Sequence, residues 1–314
     1  MANEIMKVKS YASLYSESTW GTKPGSPAYL DVPVLSCGIK FNRSMIEVPA
    51  FTGLLTGKHA EPKSGMPQGG LSLPLFGWID GNVSMSPMQY ILDWIFGDPE
   101  ATETASKGLQ WAEGPDVANK EWNGLRINSA TIQGSADSGF VEAALDLQGQ
   151  SESALVTARA IPASRNKMYL PLFRNCTFSI GGVAIPMAQF SIQVQRGLKA
   201  TYLNNFTPLH LRAHQNVIVV QVTPVKNAAT YDVLRRASSA TEVALQLTMK
   251  ALHNGTGTGG TNYTVGTLDW ARAVFMDADE EGGREDLAMQ PLHYNVKKSD
   301  DSTAPTVVTM SQAA

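Results

Sequence analysis

Hydrophobic and polar positions along the chain follow one pattern twice: a strand-like run, a short amphipathic helix, then a two-stranded hairpin. In the first copy the run Leu75 to Ser86 leads into a helix over Pro87 to Phe96, and Leu125 to Ser135 then pairs with Phe140 to Leu147. In the second, Leu211 to Thr223 leads into a helix over Lys226 to Arg236, and Glu242 to Leu252 pairs with Val265 to Phe275. Ile91, Trp94 and Ile95 recur at helical spacing, the stripe by which a helix packs on a sheet. Ser86 suits the N-cap and Pro87 the first turn, where a missing N–H leaves no bond unmade. Self-similarity on this scale predicts duplication of a β-rich unit, an arrangement suited to assembly.

The rest of the chain divides around these copies. Gly and Pro punctuation in Ser18-Thr-Trp-Gly-Thr-Lys-Pro-Gly-Ser-Pro27 predicts an extended arm over residues 1–27. A first β unit over 28–160 begins with a strand from Tyr29 to Phe41 and carries a long loop over 42–70. Loops of that length inside a domain are usually either disordered or engaged with a partner; the apolar residues here favour the partner, and Val48, Phe51, Leu54 and Leu55 are those expected to make an assembly contact. The polar stretch Asp98 to Asn119 reads as another loop, and Ser151 to Lys167 as the linker between copies. A second unit over 161–285 offers strand candidates at Tyr169 to Phe173, Cys176 to Ile180, Ala188 to Val194 and the β-branched run Val217 to Val222. Residues 286–314 read as a mobile C-terminal tail.

Composition sharpens this picture. Hydrophobic residues make up 43% but charged residues only 17% of the 314, against about 25% charged in typical soluble proteins. A surface poor in charge suits burial between subunits. The net charge of −3, with scattered Lys and Arg, argues against tight binding of nucleic acid, which needs clustered cations. Cys37 and Cys176 are expected to be reduced and buried, since a chain this long needs no covalent staple. No apolar signal-peptide run opens Met-Ala-Asn-Glu-Ile-Met-Lys, and no run of 18 apolar residues occurs, so synthesis in a cytoplasm without membrane insertion is expected.

Patterns that could carry catalysis fail on physical grounds. His210 and His214 lie in a strand-like run, where four residues span about 13 Å, too far for two ligands of one zinc. Gly255 to Gly260 precedes a strand rather than the helix whose N-terminus would hold a phosphate. Asp277 to Glu281 lacks the spacing of a calcium loop. No nucleophile elbow is present, and neither a catalytic residue, a cofactor nor a metal is expected. Trp20, Trp111 and Trp122, in loop-like segments, keep open the alternative of a carbohydrate- or receptor-binding β-sandwich.

In its order of motifs the chain resembles the tail tube proteins of long-tailed bacteriophages. The residues concerned are Glu17 to Ser26, Gly77 to Gly97, and Asn175 to Gly182 leading to Phe190 to Leu198, and the likeness extends over about residues 15–280. The resemblance implies a mainly β fold: tandem β-sandwich units, each with a short flanking helix, closing into a β-barrel lumen on oligomerisation. It implies a major tail tube subunit in stacked rings, three copies with pseudo-sixfold symmetry if the repeat is real or six copies otherwise. DNA would pass through without specific binding. The implied partners are a tape-measure protein in the lumen and tail-terminator and baseplate proteins, with assembly in the host cytoplasm. A tail terminator or hub built on the same unit is the alternative within the virion.

Overall fold

The computed structural model describes residues 11–49, 58–76, 87–98, 106–112, 119–155, 170–225, 242–253, 262–278, 292–297 and 306–313. The fold is mainly β, with a single α-helix among the described residues. The first half contributes β1 (Tyr11–Ser16), β2 (Leu30–Val32), β3 (Ser36–Cys37), β4 (Lys40–Pro49), β5 (Lys58–Pro74), α1 (Pro87–Phe96), β6 (Lys107–Ala112), β7 (Asn119–Ser135), β8 (Val141–Gln148) and β9 (Ser151–Leu155). The second contributes a 3-10 turn at Phe173–Asn175, then β10 (Thr177–Ile180), β11 (Val183–Ile185), β12 (Met187–Gln195), β13 (Leu198–Thr201), β14 (His210–Ala213), β15 (Val217–Pro224), β16 (Val243–His253), β17 (Asn262–Ala278), β18 (Leu292–Val296) and β19 (Val307–Ala313).

Strand periodicity explains the core. In β8, Val141, Ala143, Leu145 and Leu147 point inward while Glu142, Ala144, Asp146 and Gln148 alternate outward. Ile192 of β12, Val220 of β15 and Tyr294 of β18 continue the same apolar layer, so both halves share one cluster. Met88, Ile91, Leu92, Trp94 and Ile95 of α1 are all fully buried in it. Burial of each such large apolar side chain contributes about 1.5–3 kcal/mol.

Most antiparallel pairings of the first half recur in the second, the short β3–β5 pairing being an exception. β1 pairs with β2 and β6 as β10 pairs with β11 and β16. β5 lies between β4 and β8 as β15 lies between β12 and β18. Within its own half each of the 17-residue strands β7 and β17 pairs with three strands, β6, β8 and β9 in one case and β16, β18 and β19 in the other, and β7 pairs in addition with β12 of the second half. Even the irregularities coincide. β7 shifts register against β8 between Ile127 and Ser129, and β17 against β18 between Phe275 and Asp277. Such bulges bend a long strand so that its ends serve different sheets. The halves differ between the first two strands of each ladder. β10 and β11 are joined by Gly181 and Gly182, both at positive φ as a two-residue turn requires, whereas β1 and β2 are separated by residues 17–29.

Several expectations from sequence are corrected. Residues 42–49 and 58–70 are strand rather than loop: β4 and β5 pair antiparallel, with Asn42 opposite Met66 and Pro49 opposite Lys58. Pro62 and Pro67 suit this because β5 has a strand partner on one side only before Gln68. The predicted loop 98–119 contains β6, the arm 1–27 contains β1, and the linker 151–167 begins with β9. The tail 286–314 contributes β18 and β19, both hydrogen-bonded into the main network. Leu211 to Thr223 is split into β14 and β15, and Phe173 opens a 3-10 turn rather than ending a strand. Neither Cys37 nor Cys176 is in a disulfide; both are half-buried rather than fully so, and burial pushes the Cys176 thiol up to about 12. The helix expected over Lys226 to Arg236 and the glycine run Gly255 to Gly260 lie outside the described residues.

Candidate functional site: the polar sheet face and its open edges

Successive pairings place eight strands side by side in the order β4, β5, β8, β7, β12, β15, β18, β17. One face of this sheet is the core; the other carries rows of polar residues in register. One row runs Pro74, Glu142, Gln133, Ser191, Gln221, His293, Asp277. The next runs Ser72, Ala144, Thr131, Gln193, Val219, Asn295. Neighbours are tied across strands: Gln133 Nε2 donates to Glu142 Oε1, and Gln189 Nε2 to Thr223 Oγ1 at 3.2 Å. A shallow groove of about 350 Å³ opens here between Gln133, Ser138, Glu142, Gln189, Ser191 and Gln221. These rows hold amides, hydroxyls and carboxylates, and Lys40 stands at the β4 margin. Chemically such a face offers hydration and weak hydrogen bonding but little to hold a polyanion.

The two halves meet where β12 docks on β7, with Ser129 opposite Gln195, Ile132 opposite Ile192 and Ser135 opposite Gln189. The seam is close: a Cβ on Gly134 would lie 2.8 Å from the Phe190 ring. Just past β12, Arg196 is 1% exposed, its backbone N–H donating to Asn128 O at 2.9 Å. Its guanidinium donates to Ile95 O at 2.8 Å and Gly97 O at 2.9 Å, satisfying carbonyls at the C-terminus of α1. Burial lowers its pKa to about 10, yet it remains charged at neutral pH. A second-half arginine thus locks the first-half helix across the seam.

At the sheet's ends, the outer side of β4 and the outer side of β17 from Val274 to Ala278 pair with no described strand. Met45 on β4 and Met276 at the β17 bulge are 54% and 58% exposed. Unpaired edges with apolar side chains are templates for pairing with another chain.

A second polar cluster, in the first half, is structural. Glu17 accepts hydrogen bonds from Gly21 N at 2.9 Å, Gly124 N at 2.8 Å and Ser106 Oγ at 2.5 Å, fixing the segment after β1 against β7. Burial raises its pKa despite these donors. Glu121 accepts from Tyr15 Oη at 2.9 Å and Gln110 Nε2 at 3.0 Å and pairs with Lys23 at 2.8 Å. Burial pushes its carboxyl up, but the Lys23, Gln110 and Tyr15 donors outweigh that and hold it below the usual range.

Of the residues predicted for assembly, Val48 lies in β4 opposite His59, while Phe51, Leu54 and Leu55 fall outside the described residues. The tryptophans that suggested a sugar-binding surface do not gather on one. Trp122 is buried in β7 and donates to Glu152, Trp111 lies half-buried in β6, and Trp20 stacks on His210 and donates to Gly124 O. His210 lies on the two-stranded β13–β14 sheet, and among the described residues no group of three His, Cys, Asp or Glu could hold a metal ion. No helix among them is long and apolar enough to cross a membrane. Arg196 and the open edges were missed by sequence reading. Their signal was a shared spacing: Pro33, Ile39 and Arg43 recur as Pro186, Ile192 and Arg196.

A ladder whose pairings recur in the two halves, a polar sheet face and two edges open among the described residues define a mainly β architecture suited to assembly. Residues 9–296 match the family described as Phage tail tube protein, and the chain belongs to that family. It is a structural protein of the bacteriophage tail. No curated protein matches the chain.

Proposed function

We propose that the chain is the major tail tube subunit, three copies closing into a ring with pseudo-sixfold symmetry and rings stacking into the conduit through which the genome is ejected. Each half would be one tube unit: residues 28–160 and 161–285, extended by the strands at either end of the chain. The observation that carries this reading is the recurrence of the ladder β4–β5–β8–β7 as β12–β15–β18–β17, the two joined into one sheet with an edge open at each end among the described residues. Heterologous edges close into rings when the rotation permits, and closure removes the hazard of open strands. The polar sheet face would then line the bore, where DNA slides without being held. A tape-measure protein would fill that bore during assembly in the host cytoplasm, and terminator and baseplate proteins would close the ends. The reading is structural, with no catalytic role.

Electron microscopy of purified protein, with the symmetry of end-on views counted, tests this directly. Three strong lobes or six alternating ones support the trimer of double units; six equivalent lobes keep the tube and remove the trimer. The reading also keeps Val48, Phe51, Leu54 and Leu55 as contacts to a neighbouring subunit or ring. Phe51→Asp with Leu55→Asp is expected to leave a folded protein that no longer polymerises; normal tubes from this variant would refute the contact.

A further inference from the structure

The seam inside the chain specifies the seam between chains. Following the pairings from strand to strand, Phe41, Asn42 and Arg43 occupy in the first ladder the places of Val194, Gln195 and Arg196 in the second. At the other end of the sheet, Asp277 and Ala278 follow the β17 bulge as Ser129 and Ala130 follow the β7 bulge. β12 and β7 are already joined, whereas β4 and this part of β17 each lack a described neighbour on one side.

We propose that β4 of one copy pairs antiparallel with β17 of a second copy in the register that β12 and β7 use internally, with Asn42 opposite Asp277 and Phe41 opposite Ala278, and with Arg43 entering the junction as Arg196 does. This rests on the tube reading and adds to it the edges, the register and a clamp residue. Three observations converge on it. Arg43 is exposed, lying over the Phe41 ring at 5.8 Å, while its counterpart Arg196 is buried at a completed seam. The bulge residue Asn128 receives the Arg196 N–H, and its counterpart Met276 stands exposed on an edge with no such donor near it among the described strands. Met45, the other exposed methionine of these edges, lies two residues beyond Arg43 on the strand that would cover Met276. Joining the edges buries both apolar side chains and continues the ladder without an interruption.

The test uses thiol pairs in the full chain carrying Cys37→Ser and Cys176→Ser, assembled as tubes and treated with a short bismaleimide. Asn42→Cys with Asp277→Cys is expected to give a covalent ladder between copies that stops at the ring number. Ser44→Cys with Asp277→Cys, displaced by two residues on the same face, is expected to cross-link poorly; equal or better linkage there overturns the register. In parallel, Arg43→Ala is expected to fold with an unchanged melting temperature but to assemble at least about tenfold more weakly, as loss of a buried interface arginine does. Wild-type-like assembly of Arg43→Ala overturns its role as clamp. Tubes that form without linkage in either pair overturn the edge assignment while leaving the tube reading intact. A wild-type chain that stays monomeric at every concentration removes the tube reading and the junction with it.

Discussion

Trp122 and Trp270 occupy the same place in the two ladders, each just inside the bulge of the strand pair and each fully buried. The first donates its Nε1 to Glu152 Oε2 at 2.8 Å on β9, the second to Thr306 Oγ1 at 2.9 Å beside β19. One indole thus fixes a terminal strand in each half. Trp270→Phe removes ring volume and leaves Thr306 without this donor, and is expected to lower stability by about 2–3 kcal/mol in urea denaturation. Trp122→Phe is expected to cost less, because Glu152 keeps Lys120 at 3.3 Å. Lys107 offers a test by pH. Its ammonium is buried, donates to Ser16 Oγ at 2.9 Å and lies 4.4 Å from the centre of the Tyr90 ring. Burial lowers its pKa to about 8, which the Asp93 and Glu17 carboxylates only partly offset. The unfolded lysine stays charged up to about pH 10.4, so between the two values the unfolded chain binds more protons and stability rises with pH. The stability of wild type relative to Lys107→Met should therefore climb between pH 8 and 9.5. A flat difference across that range would show that the ammonium is not desolvated.

At the scale of elements, the strand most at odds with its sequence is β19. Residues 307–313 pair along the outer side of β17 from Tyr263 to Asp269, and Thr306 holds Trp270. Deleting residues 306–314 is expected to expose that edge and uncover the indole. The variant should melt lower and aggregate at concentrations where the full chain does not, measured by scanning calorimetry with light scattering; an unchanged melting point would return the segment to a free tail. Why this strand was illegible is instructive. Elements with uninterrupted alternation were readable: α1 and the hairpins β7–β8 and β16–β17 lie where periodicity placed them. Elements carrying polar or punctuating residues were not. β5 contains three prolines and three glycines, and β6 buries Lys107 and Gln110 beside Leu109 because a polar network satisfies them. Hydrophobic alternation marks strands with one wet face, and it fails where a strand is an edge or has polar partners inside. The candidate site was less legible still, since the register that aligns Arg43 with Arg196 exists only once strands are paired.

For the whole molecule the open question is what the polar sheet face does once edges are joined. Its rows present Gln133, Ser191, Gln221, Thr131, Gln193 and Asn295 together with Glu142. A wall of this kind hydrates a passing polyanion but displaces few of its counterions, so it gives little binding free energy. That poverty in cations can be changed at positions which tolerate it. Ser191 of β12 and Asn295 of β18 are half-buried on the polar face and separated by β15, so lysines at both would not face each other directly. On the proposed assembly, Ser191→Lys with Asn295→Lys places two new cations per subunit around the bore without touching the seam. The variant is expected to fold and form tubes of wild-type diameter, and those tubes should retain short duplex DNA with an affinity that falls linearly in a log–log plot against salt. Wild-type tubes should retain none at physiological salt. Retention assayed by co-sedimentation of labelled duplex decides the matter: equal retention by the two would place this face on the outside of the tube.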